Sequence, residues 1–313
     1  MHIPIIPPNN PNQNPEKYLQ EGIYHFVENP TENYTENFGF QWNLFEKTQI
    51  DHFSQNNQSY ERFFSVTQWD KQDLQNQNIL EVGAGAGRFS SIVLQHTKAN
   101  LYAVDYSSAV KANYNNNQQY IPARLKLFQA SVYELPFLPE QFDKVFCFGV
   151  LQHTPNPQKT IEALSQMTRK GGELIVDFYP IRGFWTKIHA KYLLRPFTKN
   201  KKPAELYQWI DSHIDQWIAY YDFFEKWRLG KICNRFVPIC DLKNTLPHNL
   251  SPQQRREWAL LDTFDMFSPQ YDQPQKINTV KKWFEKLGYQ QIFAGYIQYG
   301  QNQQVAVVKG IKS

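Results

Sequence analysis

Apolar and polar positions divide the 313-residue chain into regimes of different period. From Asn78 onward, short apolar runs alternate with stretches of helical spacing. Ile79–Val82, Leu101–Val104, Leu125–Phe128, Lys144–Phe148 and Glu173–Phe178 read as strands, and 88–97, 107–118 and 157–169 as the helices between them. Strands alternating with helices at this spacing predict a parallel sheet covered on both faces. Two later runs, Gln290–Ile297 and Gln304–Lys309, flank the turn-prone Tyr299-Gly300-Gln301-Asn302 and read as a closing hairpin of the same sheet, after a helix at about 276–287. Between the fifth strand and that helix lie roughly 95 residues with little strand character, where a normal connection takes about 2–6. Their pattern is helical and aromatic (Tyr207, Trp209, Trp217, Tyr221, Phe224, Trp227), which predicts an inserted α-helical cap whose rings serve as core or as a platform for substrate.

Ahead of the sheet, residues 1–15 are rich in Pro and Asn and predict a disordered or extended tail. Residues 16–74 are aromatic and irregular, including Phe38-Gly39-Phe40-Gln41-Trp42, and read as a helical flap in which Gln41 and Trp42 close over a ligand or simply pack. The expected organisation is therefore a tail (1–15), a flap (16–74), a sheet domain in two pieces (75–180 and 271–313) and a cap (181–270).

Composition changes this picture in one place. Lys and Arg number 33 against 29 Asp and Glu, a net +4, but residues 181–250 alone hold 12 Lys and Arg against 6 Asp and Glu. The rest of the chain is slightly acidic. Within the basic segment Lys187, Lys191, Arg195, Lys199, Lys201 and Lys202 begin at helical spacing, as a solvated face or as a surface for an anionic substrate or lipid headgroups. No apolar run approaches the roughly 20 residues of a membrane span, and the start lacks a basic and apolar leader. Cys147, Cys233 and Cys240 are odd in number and form no CxxC pair, so neither a disulfide framework nor a structural zinc site is expected, and no metal. A reducing, cytoplasmic setting fits. About one residue in six is Asn or Gln, read as a compositional habit and not as a clue to chemistry.

The chemistry-bearing segment is Ile79-Leu80-Glu81-Val82-Gly83-Ala84-Gly85-Ala86-Gly87-Arg88. A buried strand ends at Val82, and alternate glycines then let the backbone turn tightly and approach a ligand. The helix that follows presents free N–H groups. The loop is G-x-G-x-G, with Arg88 where a dinucleotide fingerprint has its last glycine, which disfavours NAD. Glu81 stands two residues before the first glycine, able to accept from loop amides or face an ammonium group. Asp105 ends the next strand, placed to accept both hydroxyls of a ribose. A nucleoside with a cationic, amino-acid-like tail suits this set.

These residues resemble the class I S-adenosylmethionine-dependent methyltransferases, of the bacterial small-molecule (type 11/12-like) kind. Glu81 to Gly87 is similar to their first motif and Asp105 to their second. Ala130-Ser131-Val132-Tyr133-Glu134-Leu135-Pro136-Phe137 resembles the segment after their third strand, Phe142 to His153 their fourth-strand motif, and Arg169-Lys170-Gly171-Gly172-Glu173-Leu174 the turn into their fifth strand. Two positions depart from the pattern: Ser131 stands where the family often has Asp, and Gln152 replaces the first His of a pair. The resemblance implies a Rossmann-like doubly wound α/β fold with a seven-stranded sheet, mostly parallel with an antiparallel closing strand. It implies S-adenosyl-L-methionine as cofactor, held by Glu81, Gly83, Ala84, Gly85, Gly87, Arg88, Asp105, Tyr106, Ser131, Val132, Tyr133, Phe148, Gly149 and Gln152.

For catalysis the candidates are His153, Asp265 and Tyr271. His153 is a general base or a hydrogen-bonded loop anchor. Asp262, Asp265, Tyr271 and Asp272 precede the returning helix and reach the carboxyl edge of the sheet, as acceptor-orienting groups or as helix caps. No N/D-P-P-Y/F follows the fourth strand and no Pro-Cys pair occurs there, which disfavours DNA bases. The expected reaction is methylation, chiefly at oxygen, of a small-molecule or glycan-like acceptor. The rival readings are an RNA methyltransferase using the basic segment and a non-catalytic scaffold that binds S-adenosylmethionine; the oligomeric state stays open.

Overall fold

The computed structural model describes residues 3–27, 34–301 and 303–313. Met1 and His2 of the tail, residues 28–33 of the flap and Asn302 of the hairpin turn lie outside the described residues.

In chain order the elements are β1 (Leu19–Gln20), β2 (Ile23–His25), α1 (Glu36–Leu44), α2 (Asp51–Ser54), α3 (Gln58–Thr67), β3 (Asn78–Val82), α4 (Arg88–His96), β4 (Asn100–Asp105), α5 (Val110–Asn117), β5 (Leu125–Gln129), β6 (Phe142–Cys147), α6 (Pro157–Met167) and β7 (Thr168–Phe178). Five helices follow, α7 (Ala190–Thr198), α8 (Pro203–Glu225), α9 (Gly230–Asn234), α10 (Leu242–Thr245) and α11 (Pro252–Phe267). The chain closes with α12 (Ile277–Lys286), β8 (Tyr289–Tyr299) and β9 (Gln303–Lys312).

All strands join one sheet in the order β1-β2-β5-β4-β3-β6-β7-β9-β8. The strands from β2 to β7 run parallel, and β9 enters antiparallel between β7 and β8. The architecture is the expected Rossmann-like α/β sheet, with one correction: it has nine strands, not seven. The extra pair, β1 and β2, comes from the flap. Glu21 and Gly22, both at positive φ, make a two-residue hairpin turn, and Ile23 and Tyr24 bury their side chains while β2 pairs with β5 and covers its edge.

The tail needs a second correction. Ile3 is 2% exposed and Ile5 8%, Ile6 N donates to Pro136 O at 2.8 Å, and Ile5 bridges Phe137. Prolines and asparagines dominate the composition here, but two isoleucines supply enough apolar surface to anchor the segment.

Side-chain alternation along the strands sorts the core into two layers. Leu80 and Val82 face the layer under α6 and α12, and Ile79 faces the layer shared with Phe63 and Val66 of α3 and Ile92 and Val93 of α4. The helices between β7 and α12 build a third core of their own, where Leu206, Ile210, Ile214 and Trp217 of α8 meet Trp258, Leu261 and Phe264 of α11. Phe45 joins it, with Phe40 and Trp42 of α1 packed against it, so this part of the flap docks on the helical insertion. Lys191 and Arg195 depart from the solvated-face reading: both are buried, Lys191 ion-paired to Asp272 at 2.9 Å and Arg195 donating to Pro269 O at 2.8 Å.

Period two along β3 also turns Glu81 into the interior. It is 2% exposed and accepts from Ser90 Oγ at 2.5 Å; Asn113 donates to Ser90 Oγ, Asn117 to Asn113, and Ser91 to Asn117, each at 2.9 Å. Burial, opposed by the bond from Ser90, raises the Glu81 carboxyl from its ordinary 4.5 to about 8. Between those values only the folded chain holds the proton, so it binds more protons than the unfolded chain and loses stability as pH rises, with no further change above about 8. Glu81→Gln removes this titration. Denaturant unfolding from about pH 5 to pH 8 is expected to show the stability of Glu81→Gln falling less steeply than that of the parent, by up to a few kcal/mol; parallel curves would show that Glu81 is ionised in the fold.

Candidate active site

A cavity of about 630 Å³ opens over the carboxyl ends of the parallel strands. Its floor is the loop after β3 (Gly83 to Ala86), the end of β4 (Asp105, Tyr106), Val132, the loop after β6 (Phe148 to Val150) and Tyr179 after β7. Phe38 and Trp42 of α1, Lys191 of α7 and Asp262 and Asp265 of α11 close it from above. Ligands bind at this edge in open α/β sheets because neighbouring loops diverge there.

Gly83, Gly85 and Gly87 all take positive φ (80°, 51° and 84°). A Cβ on Gly83 would stand 2.2 Å from Val150 Cγ2 and one on Gly87 2.3 Å from Asn113 Oδ1, so neither position has room for a side chain. Gly83 N and Ala84 N donate to Val104 O, and Gly85 N donates to Asp105 Oδ2 at 2.7 Å. Asp105 Oδ1 accepts from Ser107 N and Oγ at 2.8 and 2.6 Å. Burial pushes the Asp105 carboxyl above its ordinary range, against the pull of these three donors. Oδ1 is filled by its two donors, and Oδ2, with one, keeps lone-pair capacity for a ligand hydroxyl. A cradle of bare backbone at alternate positions, a helix N-terminus and a fixed carboxylate fit a nucleoside with an amino-acid tail.

Of the positions expected at the cofactor, Gly83, Ala84, Gly85, Arg88, Asp105, Tyr106, Val132, Phe148 and Gly149 line the cavity. Glu81, Gly87, Ser131, Tyr133 and Gln152 stand behind its wall, each for a local reason. Glu81 faces α4. Gly87 abuts Asn113. Ser131 Oγ accepts from Tyr133 N at 3.2 Å, and Tyr133 braces the start of α6 by accepting from Asn156 N at 3.0 Å. Gln152 donates to Gly149 O at 2.7 Å and accepts from Tyr179 N at 3.2 Å, which fixes the loop after β6 to the end of β7. Arg88 turns to Ser59 Oγ and Gln49 Oε1, both at 2.8 Å, and burial beside Arg62 lowers it to about 10.

The other half of the cavity is polar. His153, 4% exposed, directs Nδ1 at Tyr271 O, 3.0 Å away, and its buried Nε2 has no hydrogen-bond partner. A carbonyl only accepts, so Nδ1 carries the proton and Nε2 a free lone pair. Burial lowers the His153 pKa below its ordinary 6.5, against the pull of Asp265. Tyr179 packs edge-on against the His153 ring at 5.5 Å and donates to Asp265 Oδ2 at 2.9 Å. Asp262, beside Asp265, is raised to about 7 by burial and by that neighbour. Lys191 Nζ lies 4.6 Å over the Tyr179 ring. Tyr271 is corrected: its backbone carbonyl serves the site, while its ring packs against Tyr34 outside the cavity wall. Asp272 likewise pairs with Lys191 and does not line the cavity.

Tyr179 and the buried Asp177 were invisible in the sequence. Asp177 accepts from Gly149 N and from Arg62 at 2.6 Å, so it ties α3 to the cavity floor. An acidic residue ending a fifth strand carries no signal of its own; only the partner 115 positions away gives it meaning.

Residues 80–176 match the family model described as a methyltransferase domain. Among curated relatives, the tRNA U34 carboxymethyltransferase of Nautilia profundicola is 28% identical over 111 residues, covering 36% of this chain and 37% of that protein. The ubiquinone biosynthesis O-methyltransferase of Salmonella arizonae is 33% identical over 85 residues (24% and 35%), and that of Pseudomonas fluorescens strain SBW25 27% over 151 residues (45% and 65%). The matched stretch thus spans little more than a third of the first two. Among solved structures, the magnesium protoporphyrin IX methyltransferase of Synechocystis is 14% identical with a TM-score of 0.48, over 90% of this chain and 97% of that one. The matched stretch begins in the strand before the glycine loop and ends within β7, one residue before Asp177, so it carries the cradle itself: residues 80–176 match a methyltransferase domain.

Proposed function

We propose that the whole chain methylates a hydroxyl of a small-molecule or glycan-like acceptor, with His153 as general base. The observation that carries this reading is His153 in the wall of a cavity whose floor is the glycine loop, with its buried Nε2 left without a partner. The ubiquinone O-methyltransferases among the relatives favour oxygen as the accepting atom. When bound, S-adenosylmethionine supplies a methyl group activated on a sulfonium. The protein's share is then to position the acceptor within about 3–3.5 Å, exclude water and take one proton.

His153 is neutral at pH 7 because burial disfavours its charged form, and the Tyr271 carbonyl fixes the tautomer that leaves Nε2 basic. Nε2 would take the proton of the acceptor hydroxyl, while the cofactor, held at the glycine loop and Asp105, would give up its methyl by breaking the sulfonium C–S bond and leave as the neutral thioether. Asp265, held by Tyr179, and Asp262 accept from further hydroxyls of the substrate and orient it. Two cations of the basic segment, Lys191 and Arg195, are engaged internally, which supports an enclosed acceptor over an RNA strand.

Purified protein incubated with methyl-labelled S-adenosylmethionine and hydroxylated acceptors is expected to yield O-methylated product. His153→Gln should lower kcat by about a hundredfold to ten-thousandfold while binding S-adenosylhomocysteine as the parent does. Tight cofactor binding without transfer to any hydroxyl, or transfer to RNA alone, overturns the reading.

Since the folded pKa of His153 is depressed, kcat should hold constant from alkaline pH down to 6.5 and fall only below it. A fall centred above 6.5 would assign the base elsewhere.

Gly83→Ala tests the cradle separately. A side chain at positive φ costs about 1–2 kcal/mol and displacing Val150 about 1–3 more. Calorimetry should show S-adenosylhomocysteine affinity at least about tenfold weaker; unchanged affinity would place the cofactor elsewhere.

A further inference from the structure

Helix α7 is inside out. Its buried residues include Lys191 and Arg195, while Leu193 (57% exposed) and Phe197 (75%) face solvent. The inversion is not confined to one helix. Of the sixteen large hydrophobics exposed among the described residues, eight fall between 193 and 236, the others there being Tyr220, Phe223, Trp227, Leu229, Ile232 and Phe236. Singly exposed apolar residues are ordinary on a protein surface, but a concentration of this kind marks an interaction face.

The parts are connected. Phe223 and Trp227 stack at 5.1 Å, and Tyr220, Phe224 and Phe236 line an apolar groove of about 510 Å³. Ala190 N donates to Arg235 O at 2.8 Å and the Arg235 guanidinium donates to Ile188 O, which fastens the start of α7 to the end of α9.

Charge identifies the occupant. In Lys226-Trp227-Arg228-Leu229-Gly230-Lys231-Ile232 exposed cations alternate with exposed apolar residues, and Lys199, Lys201 and Lys202 follow Phe197. None of these six cations forms an ion pair among the described residues. Of the acids nearby, Asp222 pairs with Arg255, Asp211 and Asp215 with Arg256, and Glu225 with Lys243, and Glu205, three residues after Lys202, is an exposed carboxylate outside these pairs among the described residues. A protein interface depletes charge at its core, whereas here cations lie among the exposed apolar residues; single-stranded RNA sites combine cations with aromatic rings, whereas here Leu193, Leu229 and Ile232 also project. Aromatic and aliphatic side chains interleaved with unpaired Lys and Arg fit the boundary of an anionic bilayer, where the rings enter the headgroup layer and the cations meet lipid phosphates. No helix among the described residues is long and apolar enough to cross a membrane.

We propose that this face of the helical insertion docks on an anionic lipid surface. The proposal is independent of the methyl acceptor. In co-sedimentation, the full chain is expected to bind phosphatidylcholine vesicles containing phosphatidylglycerol, to bind pure phosphatidylcholine much more weakly, and to be released by salt. Lys226→Glu/Arg228→Glu/Lys231→Glu should weaken binding at least about a hundredfold, from roughly a fivefold loss per cation removed near the surface. Phe197→Ser/Trp227→Ser should weaken it at least about tenfold. Unchanged S-adenosylhomocysteine affinity reports that each variant is folded; should either fail to fold, the phosphatidylglycerol and salt dependence of the parent protein decides. No vesicle binding, equal binding to both vesicle types, a dimer that Phe197→Ser dissociates, or tighter binding to RNA than to vesicles would each overturn the proposal.

Discussion

Three glycines at positive φ set the geometry on which the rest of the molecule depends. Gly83 lies against Val150 of the loop after β6, Gly85 against Trp42 of α1, and Gly87 against Asn113 of α5. Three parts of the chain distant in sequence therefore converge on one turn, each resting on bare backbone. The positive φ angles and the close approaches reinforce one another: a Cβ would be strained at all three positions, and at Gly83 and Gly87 it would also displace its neighbour. The same bare backbone brings the flap and the loop after β6 within reach of the glycine turn.

A buried carboxylate extends this convergence to the other side of the cavity. Asp177 accepts from Gly149 N and from Arg62, holding the loop after β6 on the end of β7 and α3 on both. Removing two charges from water roughly offsets their attraction, so the pair is weak evidence for stability. Its contribution is positional. With either partner removed, a buried charge would stand alone, and the arrangement that satisfies both is the one that places Gly149 on the cavity floor. Gln152 repeats the device with a neutral group, joining Gly149 O to Tyr179 N.

Most of the sheet was legible because buried parallel strands read as apolar runs, and the glycine loop because its chemistry is local. Legibility ended where function depends on which way a side chain faces or on a distant partner. Glu81 sits within the motif, but alternation along β3 points it at Ser90, and it does not line the cavity. Tyr271 was placed correctly in the chain, yet it is the carbonyl and not the hydroxyl that serves His153, a distinction no residue type encodes. Lys191 and Arg195 looked like a solvated stripe until Asp272, 81 positions from Lys191, supplied a partner. Strands β1 and β2, of two and three residues, are too short for a period to register.

The amide-rich composition, legible only as a habit, acquires a structural use in the folded chain. Buried Asn and Gln link groups whose charges would otherwise meet directly. Gln49 accepts from Arg88 through Oε1 and donates to Asp262 through Nε2, at 2.8 and 3.4 Å, so a buried cation and a carboxyl of the acceptor wall share a neutral intermediary. A direct Arg88–Asp262 pair would hold Asp262 ionised and turned from the cavity. Through the amide, Asp262 keeps a capacity set by burial and by Asp265, near neutrality at about 7. Asn116 does the same for backbone, donating to both Glu46 O and Ala86 O and so fastening the flap to the glycine loop. An amide both donates and accepts, and burying it costs less than burying a charge. In a chain whose site is assembled from a flap, a sheet edge and an inserted helical layer, that makes it the side chain suited to the seams.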